Sequence, residues 1–321
     1  MNKFNILISS AGRRVELVRS FQDSVKRLSL NAKIICTDIE PDFSSACQIS
    51  DLAVKVPRVN SSDYIKQLLE ICKLYNVGMI VPTIDTELLV LSKNRDIFEL
   101  NGINIVVSDY QLVSDCRDKR ATANVFSSLD IDQPEIYDVN SIVFPCFCKP
   151  YDGSCSIGAF PLYHEMMLTP EILANEKNMF MELVDSDYCE YTVDAYYNIE
   201  GILCCVVPRE RIEVRGGEVS KGITRKDFVY AYLCSRLGRI SGARGCITFQ
   251  FFVNVETQSL KALEINPRFG GGYPLTHSAG APYSEWLIRE YFLGEKIDFF
   301  DSWTANLLML RYDASVLVYE E

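Results

Sequence analysis

Histidine is nearly missing from this chain: 321 residues hold two, His164 and His277, far apart and without a ligand pattern around either. That scarcity argues against a His-dependent zinc site or a Ser-His-Asp triad, and leaves catalysis to Lys, Arg, carboxylates and metal. Positive charge is also short. With 32 Lys and Arg against 43 Asp and Glu, the net charge is -11, so nucleic acid is not an expected partner, although a local cationic cluster can still hold a small anion. The 12 cysteines include no Cys-x-x-Cys pair. Reduced thiols in a cytoplasmic protein are the expectation. No apolar run approaches membrane-spanning length, and the one at the N-terminus is too short for a signal peptide, so no membrane partner is expected. A Gly-x-Gly-x-x-Gly dinucleotide fingerprint is missing too, which argues against an NAD-dependent oxidoreductase.

What is present is a 48% hydrophobic chain long enough for two or three subdomains. Residues 4–10 read as a buried strand, followed by Gly12, Arg13 and Arg14 and a helical pattern from Val15 to Leu28. Residues 32–38 form a second strand ending in Asp38. A helix over 62–75, a strand over 77–82 leading to Asp85 and Glu87, a helix over about 86–100 and a strand over 103–107 complete the alternation. Unbroken apolar strands alternating with helices predict an α/β domain over 1–108, a doubly wound parallel sheet with ligands at the carboxyl ends of its strands. Arg13, Arg14, Asp85 and Glu87 thus become substrate candidates on one rim, although each also fits an ordinary cap or loop charge.

Near residue 108 the texture changes to α+β. Ser114-Asp115 would cap a helix from about 115 to 129 carrying Lys119. A strand over 143–150 puts Lys149 at its far end, and the loop 151–158 follows with Gly153, Ser154, Ser156 and Gly158. Such a loop can present N–H groups to phosphate, or be a plain hairpin turn; two lysines in its neighbourhood favour phosphate. Strands over 178–184 and 190–196 leave Glu182 and Glu190 at opposite ends of an acidic turn. Arg209 and Arg211 come next, a pair suited to a substrate carboxylate. Residues 215–222, with Lys221, read as a flexible loop, and 226–238 as a helix.

Two strand-like runs, 247–253 and 263–268, flank the turn-prone Glu256-Thr257-Gln258-Ser259. A three-residue loop centred on Thr257 would set Gln250 opposite Glu264, with Asn266 diagonal to both, while Phe249, Phe251, Val253, Leu263 and Ile265 share the buried face. One carboxylate and two amide oxygens on a rigid pleat suit a hard cation such as Mg²⁺. Arg268 follows as a phosphate partner. A surface hairpin with a polar side would look the same in isolation.

Taken in order, the two lysines, the Gly/Ser loop, the Glu pair and the hairpin ending Glu264-Ile265-Asn266-Pro267-Arg268-Phe269-Gly270-Gly271-Gly272 resemble the ATP-grasp superfamily over about residues 110–300. The branch they are most similar to is the carbamoyl-phosphate-synthase-like ligases. The resemblance implies a lid subdomain over 109–180 and a larger subdomain with the metal site over 181–321. It implies ATP bound by Lys119, Lys149, Gly153, Ser154, Ser156, Gly158, Glu182, Leu183, Val184 and Glu190. Gln250, Glu264 and Asn266 would hold Mg²⁺, with Mn²⁺ as a substitute, and Arg268, Lys149 and Arg209 would act on the reacting groups. Arg211, Lys221 and Gly271 join the rim as substrate candidates. The implied reaction joins a small-molecule carboxylate, an amino acid being one option, to an amine or ammonia through an acyl phosphate, releasing ADP and phosphate. Alternatives are a non-catalytic ATP-binding regulatory module and a kinase-like enzyme that stops at a phosphorylated carboxylate or carbamate. A homodimer is open as the assembly.

Overall fold

The computed structural model describes residues 4–153 and 157–319. Its first sheet has five parallel strands, β1 (Asn5–Ser9), β2 (Ile34–Asp38), β3 (Leu52–Lys55), β4 (Val77–Pro82) and β5 (Asn104–Ile105), in the order β3-β2-β1-β4-β5. Alternate residues of β1 feed two cores: Ile6 and Ile8 pack with Val18 and Phe21 of the helix Val15–Arg27, while Leu7 packs with Leu68 and Leu91 on the other side. This two-sided burial is why the strands read as continuous apolar runs. Strand order reverses between β1 and β4, so their carboxyl ends open the crevice in which such sheets hold ligands. The expected helix over 86–100 is broken at Asn94 into Asp85–Lys93 and Arg95–Glu99, and the strand over 103–107 shortens to β5.

A second, antiparallel sheet, order β6-β9-β7-β8, is formed by β6 (Ile136–Tyr137), β7 (Cys146–Pro150), β8 (Phe160–Leu162) and β9 (Asn178–Glu182). In place of the expected single helix over 115–129, Tyr110–Arg117 and Lys119–Ser128 precede it. Asp118 is extended between them and caps the second, its Oδ1 accepting from the Arg120 N–H at 2.9 Å, so the cap is Asp118 rather than Ser114-Asp115.

The third sheet runs β14-β13-β10-β11-β12-β15, from β10 (Cys189–Tyr197), β11 (Leu203–Arg215), β12 (Glu218–Thr224), β13 (Gly245–Asn254), β14 (Ser259–Asn266) and β15 (Leu308–Leu310). The segment 215–222 is not a flexible loop. Arg215 pairs with Glu218 around Gly216 and Gly217, whose φ of 59° and 81° make the tight hairpin turn that joins β11 to β12. One face of this sheet, with Val193, Phe249, Phe251 and Ile265, is buried under Val229, Leu233 and Leu237 of the helix Phe228–Leu237 and under Phe126. The opposite face carries the polar residues.

Gln250 does pair with Glu264, but by a different route from the expected one. Asn254 pairs with Ser259, so four residues, not three, make the turn; Asn254 Oδ1 accepts from the N–H groups of Glu256 and Thr257, and Gln258 sits at φ 53°. A bulge then skips Leu263 between the pairs Phe251–Ala262 and Gln250–Glu264, restoring the register. Leu263 is therefore half-buried, while Leu260 and Ala262 line the core in its stead. No described helix is long and apolar enough to cross a membrane.

Candidate active site

The pairing of four strands sets one row of side chains across the polar face: Arg209 opposite Thr192, Thr192 opposite Gln250, Gln250 opposite Glu264. The next row places Asp194 opposite Thr248 and Thr248 opposite Asn266. Asn266 Nδ2 donates to Glu264 Oε1 at 2.9 Å, and Arg211 Nη1 reaches Gln250 Oε1 at 3.4 Å. The donor set is three oxygens from one carboxylate and two amides, a composition that fits a hard cation taking few protein ligands. Among the described residues no group of three His, Cys, Asp or Glu gathers elsewhere as a metal site.

Facing this row is Lys149 at the end of β7, 6% exposed and with no hydrogen-bond or ion-pair partner among the described residues. Burial, then the Lys119 ammonium, push its pKa down to about 8, and the Glu264 carboxylate opposes them. Lys119 donates to the Gly153 carbonyl, and burial lowers its pKa against the same Glu264. A nearly buried ammonium without a counter-ion is costly. An anionic ligand would remove that cost, so these residues fit a polyphosphate. Ser154 and Ser156 lie outside the described residues; Gly153 and Gly158 bracket them, Gly158 at φ 72°.

Along the strand edge, Glu182 ends β9 and takes the Lys261 ammonium on Oε1, while Oε2 accepts from the Glu135 N–H at 3.2 Å. Leu183 and Val184 follow it, half-buried. Glu190 pairs with Arg211 at 2.9 Å.

Arg268 joins the two halves of the molecule. Its Nε and Nη2 donate to the two oxygens of Asp85 at 2.9 and 2.6 Å, and Nη2 also reaches Asn266 Oδ1 at 3.2 Å. Arg14 stands close by, Nη2 to the Thr83 carbonyl at 3.5 Å; burial and Arg268 lower its pKa, and Glu218 and Asp85 oppose them. Arg13 is exposed. The far wall is Gly270-Gly271-Gly272, where neighbouring side chains approach the backbone closely. A Cβ on Gly270 would stand 2.9 Å from Thr248, one on Gly271 2.5 Å from Glu218 Oε2, and one on Gly272 2.0 Å from Arg209 Nη1.

Three expected substrate or catalytic residues are placed elsewhere. Glu87 is fully buried: Oε1 accepts from the Thr83 N–H at 2.9 Å, and Oε2 from Ser10 Oγ and the Tyr64 hydroxyl, each at 3.0 Å. It ties β4 to its neighbours inside the first domain. Arg209 lies beneath the glycine turn, its side chain 2% exposed, with Nη2 at 2.8 Å from the wholly buried Asp194. Thr248 and Thr276 donate to the same carboxylate at 2.9 and 2.7 Å. Lys221 is exposed and pairs with Glu213 at 2.6 Å, away from the crevice. Conversely, the reading of the sequence missed Asp194, Thr248, Glu218 and Arg311. Asp194 had a signal, an acid set between Val193 and Ala195 and followed by Tyr196 and Tyr197 in the apolar end of its strand; Arg311, near the C-terminus, had none.

Two family models match the chain, that of the "PylC-like, N-terminal domain" over residues 6–106 and that of "ATP-grasp in the biosynthetic pathway with Ter operon" over 175–307. The carbamoyl phosphate synthase large chain of Methanobrevibacter smithii is 24% identical over 257 residues, covering 71% of this chain and 24% of that protein. The chain thus spans about a quarter of the length of that relative. Among solved structures, the biotin carboxylase domain of the Hydrogenobacter thermophilus 2-oxoglutarate carboxylase, with MgADP and bicarbonate, superposes with a TM-score of 0.73 at 16% identity, over 95% of this chain and 73% of that one. The Staphylococcus aureus N5-carboxyaminoimidazole synthetase complexed with ADP gives 0.66 at 15% identity, over 87% and 75%. An ATP-grasp family model thus matches residues 175–307, across the third sheet, the chain shares the fold of these carboxylase and synthetase structures, and its sequence likeness runs to the carbamoyl phosphate synthase large chain.

Proposed function

We propose that the protein is an ATP-dependent ligase that joins a small carboxylic acid to an amine. The observation that carries this reading is Lys149, a nearly buried and unpartnered ammonium facing the Gln250, Glu264 and Asn266 face. Residues 109–180 act as the lid and 181–321 as the body, beside the doubly wound domain of 1–108. Lys149 and Lys119 hold the phosphates. Glu182, Leu183 and Val184 border the adenine, and Glu190 the ribose; on this reading Lys261 and Arg211 are the partners these acids have in the absence of nucleotide. Gln250, Glu264 and Asn266 would hold Mg²⁺, which when bound would neutralise charge on the phosphate oxygens.

A carboxylate oxygen of the acid attacks the γ-phosphorus as the bond to ADP breaks, giving an acyl phosphate. The amine nitrogen then attacks the acyl carbon, phosphate leaves with the electron pair of the C–O bond, and the nitrogen loses a proton to form the amide. Arg268, held by both oxygens of Asp85, stands where negative charge spreads during the transfer, so its contribution is electrostatic and pre-positioned. The crevice between this guanidinium and the first-domain rim receives the acid. Other ATP-grasp proteins with this fold were solved with ADP, and one with bicarbonate, which supports nucleotide use and a small carboxylate-like substrate.

The test is ADP and phosphate release with ATP and Mg²⁺ across amino acids, small carboxylates and bicarbonate, each with and without amines, and mass spectrometry of the products. Amide formation with equal ADP and phosphate is expected, and Glu264→Ala should lower turnover by roughly a hundredfold or more. Unchanged turnover in Glu264→Ala would overturn the metal assignment, and absence of ADP with every acid would overturn the ligase reading.

A further inference from the structure

The crevice between the first-domain rim and the glycine turn is lined by both signs of charge. Arg14 and Asp85 come from the rim, Arg268 from the end of the hairpin, and Glu218 from the start of β12. Arg311, just after β15, closes the set: Nη1 donates to Glu218 Oε2 at 3.1 Å, Nη2 to the Gly271 carbonyl, and Nη2 lies 3.5 Å from Glu16 Oε2 in the first domain. Glu218 Oε1 takes no hydrogen bond among the described residues, and its side chain is 47% exposed. Room for that carboxylate exists because Gly271 has no Cβ.

Three guanidinium groups here face three carboxylates. A bare anion entering such a balanced set leaves one charge uncompensated, whereas a ligand carrying both signs exchanges ion pairs without changing the total. We propose that the crevice takes an α-amino acid as its carboxylate substrate, Glu218 receiving the ammonium while Arg14 and Arg268 receive the carboxylate. Arg311 is then a positioning residue that fixes Glu218 and, through Glu16, the first domain. The carboxylate end lies beside Arg268, next to Asn266 and the phosphate side of the site, which is where an acid must lie to be activated. This inference rests on the ligase reading for its chemistry but not for its binding.

The test uses the full chain and a panel of L-α-amino acids, their des-amino analogues and bicarbonate, first by calorimetric binding without nucleotide, then by ADP release with ATP and Mg²⁺. At least one amino acid should bind roughly tenfold or more tightly than its des-amino analogue, the scale of one charge-assisted hydrogen bond. Glu218→Gln should erase that difference while leaving the KM for ATP unchanged, and Arg311→Lys should weaken the amino acid more than the analogue. Equal binding of both forms, or a Glu218→Gln protein that weakens both alike, overturns the proposal. ADP release with bicarbonate or des-amino acids alone also overturns it and leaves the ligase reading standing. Amino-acid binding with the expected Glu218 dependence but no ADP upholds the amino-acid site and overturns the ligase reading.

Discussion

Replacing Gly272 by alanine tests whether the glycine turn is shaped by what lies beneath it. Gly272 has φ -88°, ordinary for any residue, so the substitution brings no backbone strain and by itself would stabilise by about 0.5 kcal/mol through the unfolded chain. The new methyl, however, would stand 2.0 Å from Arg209 Nη1 and 3.1 Å from Val219 Cγ1. An exposed arginine would swing aside. Arg209 is buried and held by Asp194, which also takes Thr248 and Thr276, so either the turn is pushed off the sheet or the ion pair opens. Overpacking of this kind costs about 1–3 kcal/mol, and opening a buried pair about 3–5 kcal/mol. A net loss of about 3 kcal/mol is expected, which is a fall of roughly 4–5 °C in the melting temperature of a chain of this length. Gly238→Ala is the control: its Cβ would meet nothing nearer than 4.0 Å and its φ is -63°, so no loss is expected. Combining Gly272→Ala with Arg209→Met and Asp194→Asn removes the obstacle, and the penalty of the alanine should fall to under about 1 kcal/mol in that background. A Gly272→Ala protein as stable as Gly238→Ala, or a penalty unchanged in the combined variant, would refute the argument.

The depressed pKa of Lys149, about 8 against the usual 10.5, gives a signed pH dependence. Phosphate binds the charged form, so ATP affinity should hold below pH 8 and weaken above it, approaching tenfold per pH unit, while Lys149→Met should bind weakly and lose this slope; a flat profile above pH 8 in the unmodified protein would contradict it. Because the folded protein disfavours the Lys149 proton that the unfolded chain keeps to about pH 10.5, ligand-free stability should gain from this group as pH rises across that interval. Gln250→Glu adds a second carboxylate beside Glu264 and should tighten Mn²⁺ binding to the nucleotide-free protein by roughly tenfold or more in calorimetry, an increase that would not appear if the hairpin face held no cation.

Much of the architecture was legible because apolar period and chain order carry it: the strands of the first domain, the hairpin face and the positions of Lys119 and Lys149 are local patterns. What was not legible depended on contacts between distant segments. Asp85 and Glu87 are two residues apart and of like chemistry, yet one reaches Arg268 across the crevice and the other is consumed by Ser10, Tyr64 and Thr83. Arg209 and Arg211 share a strand face, but the glycine turn covers only the first, a fact set by residues more than sixty positions away. Gly216-Gly217 read as slack because glycine pairs mark loops and hairpin turns alike. Asp118 divided a helix by capping its second half, competing locally with the backbone as short acidic side chains do.

Skipping Leu263 gives β14 two reading frames. Before the skipped residue, odd positions lie on the polar face, so Lys261 meets Glu182; after it, even positions do, so Glu264 and Asn266 stand beside Gln250. With Lys261 and Glu264 three residues apart, a strand in strict alternation would have to turn one of the two into the core. On the proposed function, that surplus residue lets a single strand serve both the adenine end and the phosphate end of ATP.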